Sequence, residues 1–243
     1  MDSLRERCAI AVMAKAPRPG QVKTRLQGVV TPEEAALLGA AFLRDTVENL
    51  HLAARSAPIA PFVAYAPAGQ EGRFDGLLPA GTGLLLADGS GGAAEGVEGF
   101  GRVLLGTMRA LLGMGYGAAC VLAADCPTLP TAELVRCARV LTDGTCDATF
   151  GESDDGGYYV LGLRSALPEP FAGVRWSTPF AAGDTRARLS AQRLVMVHLR
   201  PWFDVDDPLA LRRLLHDRSG YRAVHTEAVL AACGLRERLG RAA

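Results

Sequence analysis

Five short stretches of this 243-residue chain hold side chains that can do chemistry. Residues 14–26, AKAPRPGQVKTRL, pack Lys15, Arg18, Lys23 and Arg25 around Pro17, Pro19 and Gly20. Four cations in one loop repel each other unless an anion is present, and glycine lets backbone approach that anion closely. The stretch reads as a phosphate cradle at a strand's C-terminal end, with a solvated basic loop as the plainer alternative. It is neither a Walker A loop nor a G-x-G-x-x-G turn. Asp125 ends the apolar run 118–124, AACVLAA. A carboxylate there suits a hard cation beside phosphate oxygens, or else a turn cap. Cys126, next to it, has no basic neighbour in sequence that would make a thiolate nucleophile.

The other three stretches are ordinary when taken singly. Asp154, Asp155, Gly156 and Gly157 precede Tyr158-Tyr159 and fit an Asp-Gly hairpin turn. Trp176-Ser177-Thr178 fits a helix start with Ser177 or Thr178 as cap. Asp204 and Asp206 alternate in an extended segment and so point to one face. Like charges on one face cost energy unless a cation compensates them. Asp207, before Pro208, has a helix cap to make; Asp204 has none.

These residues need a scaffold, and the pattern supplies one. Short apolar runs at 8–14, 59–65, 84–88, 118–124, 146–151, 157–163 and 194–199 read as strands. Helical periods lie between them. One begins at Thr31, where Thr31, Pro32 and Glu34 form a capping box with a first-turn proline. A second follows the glycine-rich 89–96 and runs to about Met114. Others begin at Thr131, read as a cap, at 181 and at Asp207-Pro208, with a helical tail from Thr226. Alternation of strand and helix predicts an α/β fold, a mostly parallel sheet covered by helices on both faces, with one antiparallel pair at 146–163. In such sheets ligands bind beyond the carboxyl ends of strands, which places the chemistry just after residues 14, 88 and 124.

Composition bounds the answer. Hydrophobic residues are 49% and charged residues 21%, a globular and not a disordered balance. Lys and Arg equal Asp and Glu at 26 each, which argues against a nucleic-acid binder. The apolar runs are too short to span a membrane, and the N-terminal one lacks a signal peptide's long apolar region. The six cysteines form no C-x-x-C pair, so a reduced, cytoplasmic protein is expected. Lacking a linker or repeat, the chain is read as one domain, with its core at 8–215 and a peripheral tail at 216–243.

The five stretches, in this order, resemble a bacterial glycosyltransferase family whose name is linked to arsenosugar biosynthesis. It looks like a relative of the phospholactate and molybdenum-cofactor guanylyltransferases. The resemblance spans about residues 8–215 and implies a single-domain GT-A fold, that of nucleotide-diphospho-sugar transferases. Carried onto this sequence, Lys15, Pro19, Gly20, Lys23, Thr24 and Arg25 would hold nucleotide phosphates, Lys23 and Arg25 most directly. Asp125, Asp204 and Asp206 would hold Mg²⁺ or Mn²⁺. Gly156, Gly157, Trp176, Ser177 and Thr178 would line the acceptor or sugar pocket, with Asp155 as catalytic base. Gly99-Phe100-Gly101-Arg102 stands where relatives carry Leu-Gly-x-Arg near the nucleotide, which would give Arg102 a part in binding it.

One departure matters. The Asp-x-Asp of many glycosyltransferases is absent, since residues 124–126 read Ala-Asp-Cys. The implied reaction is metal-dependent transfer of a sugar from a nucleotide sugar to a small acceptor. The alternative is nucleotidyl transfer from a nucleoside triphosphate to a phosphorylated small molecule, releasing pyrophosphate. A non-catalytic nucleotide-binding regulator is disfavoured by the three metal-type aspartates.

Overall fold

The computed structural model describes residues 3–240; residues 1–2 and 241–243 of the expected domain lie outside the described residues. Its centre is β1 (Cys8–Lys15), whose first five residues are fully buried. Neighbours β2 (Ile59–Ala66) and β4 (Ala118–Ala123) pair with it in parallel, and β3 (Gly83–Leu86) extends the sheet beyond β2. On the other side β6 (Tyr158–Leu163) runs antiparallel between β4 and β5 (Ala148–Glu152), and β7 (Met196–His198) closes that edge parallel to β5. The strand order is thus β3-β2-β1-β4-β6-β5-β7. The expected hairpin of β5 and β6 forms, but its second strand also inserts against β4. One reversed strand is therefore antiparallel to both neighbours.

Side chains alternate along the central strands and sort into two cores. Cys8, Ile10, Val12, Cys120 and Leu122 face α1 (Pro32–Ala53) and α3 (Thr131–Thr142). Ala9, Ala11, Ala119 and Val121 face α2 (Phe100–Gly113) and α4 (Ala181–Ala191). The helix α1 starts as its sequence dictates. Thr31 accepts the Glu34 amide at 3.2 Å, and Glu34 returns the bond to the Thr31 amide at 2.9 Å. Such a cap contributes about 1 kcal/mol. Thr131 departs from expectation. It is the first residue of α3 and not its cap, because its hydroxyl donates to Asn49 Oδ1 on α1 at 2.6 Å.

Three helices complete the chain: α5 (Pro208–His216), α6 (Val224–Ala232) and α7 (Leu235–Gly240). Asp207 caps α5 by accepting the Ala210 amide at 2.8 Å. The tail is more than peripheral, since Leu230, Leu235 and Leu239 are buried in the core beside α1. Asp45, fully buried on α1, accepts the His225 and Thr226 amides and the Thr226 hydroxyl. It caps α6 from another helix, where Ala223, the residue preceding α6, has no polar side-chain atom to offer.

Candidate functional site

Two lobes of one crevice open along the C-terminal ends of β1, β2 and β4. The first, of 380 Å³, lies against the basic loop and is lined by Lys15, Lys23, Thr24 and Asp125, among others. The second, of 520 Å³, lies against the hairpin turn and is lined by Arg25, Asp155, Gly157, Trp176, Ser177 and Thr178, among others. Met13, Phe100 and Asp206 border both lobes. Sequence reasoning passed over Met13, though it stands two residues from the end of β1. All three expected strand ends reach the loop-side lobe, through Ala14 and Lys15, Ala87, and Ala124 and Asp125. Asp88 folds back to accept the Ser90 amide at 2.9 Å.

The acidic residues converge through one backbone contact. The Val205 amide donates to the Asp125 carbonyl at 2.8 Å, which lays the extended segment 204–206 across the end of β4. Lys23 then reaches both flanks. Its Nζ lies 2.5 Å from Asp125 Oδ1 and 2.7 Å from Asp206 Oδ1, so those oxygens are no more than 5.2 Å apart. The third ammonium proton goes to the Val205 carbonyl at 3.0 Å. Burial opposes the Lys23 charge, but the Asp125 and Asp206 carboxylates outweigh it and hold the lysine above its ordinary pKa. Burial raises Asp125, with the nearby lysine pulling the other way. For Asp206 burial also pushes upward, but Lys23 and then Arg25 prevail and its pKa falls. The same basic side chain is therefore not free to meet a phosphate directly in this arrangement. Its charge is balanced by the chain's own carboxylates, whereas the loop's composition suggested a bound phosphate.

Asp204 sits half-buried with no such cation. Burial first, then repulsion from Asp155, Asp206 and Asp125, pushes its carboxyl up to about 7. In formal charge, Asp125, Asp155, Asp204 and Asp206 face one lysine and one arginine, an excess of two negative charges. Oxygen donors with that excess are what a single hard divalent cation requires, so the donor set fits Mg²⁺ or Mn²⁺. Among the described residues, the group of three whose ligand atoms all lie within 4.8 Å of one another is not the crevice aspartates but Asp45, Glu48 and His225. Its Asp45 oxygens are already committed to capping α6, and Glu48 is paired with Arg44 and His225.

The turn carrying Asp155 is built as its sequence reads. Asp155 Oδ1 accepts the Gly157 amide at 2.8 Å, and the Ser153 amide donates to the Gly157 carbonyl at 2.9 Å. Asp154 points away to Arg213, at 2.5 Å. Gly156 has φ +88°, and a Cβ on it would lie 2.2 Å from the Pro179 carbonyl oxygen. Only glycine lets the turn sit against the segment that bears Trp176, Ser177 and Thr178. Neither Ser177 nor Thr178 caps α4, whose N-cap position is Phe180 without a side-chain cap; Thr178 instead accepts the Phe180 amide at 3.2 Å in the turn that leads into the helix. Trp176 packs edge-on against Phe100, ring centroids 5.8 Å apart, and against Tyr158 at 6.4 Å. It fits there because Gly101 has no side chain; a Cβ would come within 3.0 Å of its indole nitrogen.

Three expected phosphate contacts fall outside the crevice. Arg102 is exposed, and its Nε donates to the Val97 carbonyl at 2.9 Å, tying α2 to the loop before it. Pro19 and Gly20 lie on the exposed outer turn of the basic loop, where Gly20 has φ +74° and Gln21 donates to Arg18. Cys126 is buried, and burial followed by the charge of Asp204 pushes its thiol well up, which removes it as a nucleophile.

Residues 49–178 match the model of DUF2064, described as "Uncharacterized protein conserved in bacteria", over just more than half of the chain. The chain belongs to this family. No curated protein matches it. Among solved structures, this DUF2064 member is similar to a protein from Desulfovibrio desulfuricans G20 provisionally named a nucleotide-diphospho-sugar transferase. The two share 26% identity and superpose with a TM-score of 0.81 over 96% of this chain and 97% of that one. A CMP:2-keto-3-deoxy-manno-octonic acid synthetase complexed with CTP matches at 11% identity and TM-score 0.53, over 86% of this chain and 96% of its own. A cytidylyltransferase from Leptospira borgpetersenii matches at 12% and 0.51, over 95% and 96%. The fold is therefore that of the nucleotide-diphospho-sugar transferases, one α/β domain with a mostly parallel sheet. None of these descriptions mentions arsenosugars.

Proposed function

We propose that this DUF2064 protein transfers a sugar from a nucleotide sugar to a small acceptor, with Mg²⁺ or Mn²⁺ bound by Asp125, Asp204 and Asp206. The observation that carries the reading is the crevice itself: Asp206 stands on the border between a lobe walled by the basic loop and a lobe walled by Asp155 and Trp176. A diphosphate joins a nucleoside to a sugar, and the metal-type carboxylates lie where the two halves of such a donor would meet. The similarity to the Desulfovibrio protein supports the same class of donor.

The chain's own groups divide the work. Lys15 and Thr24 in the loop-side lobe, and Arg25 at the turn-side lobe, bind and orient the diphosphate. A bound divalent cation would supply charge neutralisation for the departing diphosphate, a contribution of several kcal/mol. Asp155 keeps one oxygen on the Gly157 amide, which fixes its orientation. Its second oxygen takes the proton of the acceptor hydroxyl. Trp176, held by Phe100 and Tyr158, offers an apolar face against which a sugar ring packs and from which water is excluded.

Nucleotidyl transfer is the second reading, favoured by the single aspartate at the end of β4. The two are separated by the product. The protein is incubated with Mn²⁺ and a panel of nucleotide sugars and nucleoside triphosphates, with candidate acceptors. Release of nucleoside diphosphate supports glycosyl transfer, and pyrophosphate supports the alternative. Absence of turnover and of nucleotide binding across the panel would overturn both.

A further inference from the structure

The chain's two lysines, Lys15 and Lys23, both stand in the loop 14–26; the rest of its 26 basic Lys and Arg side chains are arginine. An ammonium differs from a guanidinium in being a compact point charge with three donors, nearer in shape to a metal ion. Lys23 uses all three donors, on Asp125, Asp206 and the Val205 carbonyl. Its side chain is 6% exposed, while those of Asp125 and Asp206 remain 36% and 37% exposed toward the crevice.

The backbone that delivers it is unusual. Lys23 has φ 50° and ψ 38°, the left-handed region that costs a non-glycine residue energy and is found where the surroundings impose it. Its stem rises from an exposed loop, so the side chain can leave without disturbing the sheet. Below it lies the Phe42 ring, with Nζ 5.2 Å from the centroid.

We propose that Lys23 is a tethered counter-ion which keeps the divalent seat closed, and that a metal ion binds between Asp125 and Asp206 as the ammonium moves to the phosphates of the nucleotide ligand. This rests on the metal reading given above. Two cations do not share the same carboxylate lone pairs, so the ammonium and a divalent ion compete. A phosphate ligand that draws Lys23 away then favours the metal, and by linkage the metal favours the phosphate ligand. The empty crevice is thereby kept from holding metal without substrate, and Lys23 neutralises carboxylates that would otherwise repel each other.

The test needs no nucleotide. Mn²⁺ is titrated into wild type, Lys23→Met and Lys23→Arg, and free Mn²⁺ is read by electron paramagnetic resonance, with melting in chelator confirming that each variant is folded. Lys23→Met should bind Mn²⁺ about tenfold tighter than wild type, and Lys23→Arg no tighter. Equal or weaker binding by folded Lys23→Met overturns the proposal. Absence of Mn²⁺ binding in all three overturns the metal reading, and this inference with it. A second measurement uses the native protein alone. Acetylation of its amines is followed by peptide mass spectrometry, with exposed Lys15 as internal reference. Saturating Mg²⁺ should speed labelling of Lys23 about tenfold and leave Lys15 unchanged. A Lys23 rate indifferent to Mg²⁺, in a protein that binds Mn²⁺, would mean that the ion sits on the outer oxygens and the ammonium stays.

Discussion

Asp154 and Asp155 are chemically identical neighbours, and their surroundings alone tell them apart. Asp155 lines the turn-side lobe and acts on Asp204 by its charge, whereas Asp154 pairs with Arg213 at the surface. An exposed pair of that kind contributes about 0–1 kcal/mol. Asp155→Asn should therefore lower turnover by about 10²-fold or more, the scale of a lost general base, while Asp154→Asn changes it by no more than about 3-fold. Steady-state rates with saturating metal decide the matter; full activity in Asp155→Asn would return the motif to a plain hairpin turn. Strand-end position and alternation pick out Asp125, Asp204 and Asp206 because both are local signals, whereas the choice of Asp155 over Asp154 comes from the family resemblance. The commitment of Lys23 was not legible. Its partner Asp206 lies 183 residues away, and nothing local distinguishes a lysine that meets phosphate from one that meets carboxylate. Arg102 misled for the same reason: its carbonyl partner at Val97 belongs to a loop conformation that composition does not encode.

At the scale of elements, the proposed acceptor wall depends on how segment 171–180 is fastened to α4. Arg175 grips Asp184 with its backbone amide at 3.1 Å, Nε at 2.9 Å and Nη2 at 2.8 Å. The two-pronged side-chain bond and the backbone bond lower the Asp184 carboxyl from 3.8 to about 2. A folded-state value below the unfolded one stabilises the fold above the unfolded value. That contribution is lost as pH falls through about 2. Carboxyl-carbon NMR should show Asp184 titrating near 2, and Arg175→Ala should return it toward 3.8. The same variant should weaken acceptor binding, seen as a raised KM, because Trp176 and Ser177 follow directly in the chain. The strands and helices themselves were readable, since caps such as Thr31 and Asp207 and the all-apolar strand 118–124 carry their own signals. The insertion of β6 between β4 and β5 was not, because a hairpin's sequence fixes its own pairing and leaves its outer neighbour to the rest of the sheet.

Across the whole molecule, ligand binding and stability are linked, because the crevice exists only in the folded chain. A nucleotide sugar with Mn²⁺ at about 100 times its dissociation constant should stabilise the protein by about 2.7 kcal/mol. For a domain of this size that raises the melting temperature by about 5–10 °C. Chelation should abolish most of that rise while leaving the melting of the ligand-free protein unchanged, and an equal rise with chelator present would count against a metal-assisted site. The linkage has a counterpart during synthesis. The Val205 amide docks on the Asp125 carbonyl, so carboxylates from two distant stretches of chain meet only when the later one arrives. A ribosome that has made the central strands has therefore made a sheet without the proposed ion seat. Until segment 200–206 clears the exit tunnel the nascent chain has Asp125 but not Asp206, one of the two carboxylates that balance Lys23. Completion of the crevice is then a late event, and a nascent chain halted before residue 200 should gain no protection from metal against proteolysis where the released protein does.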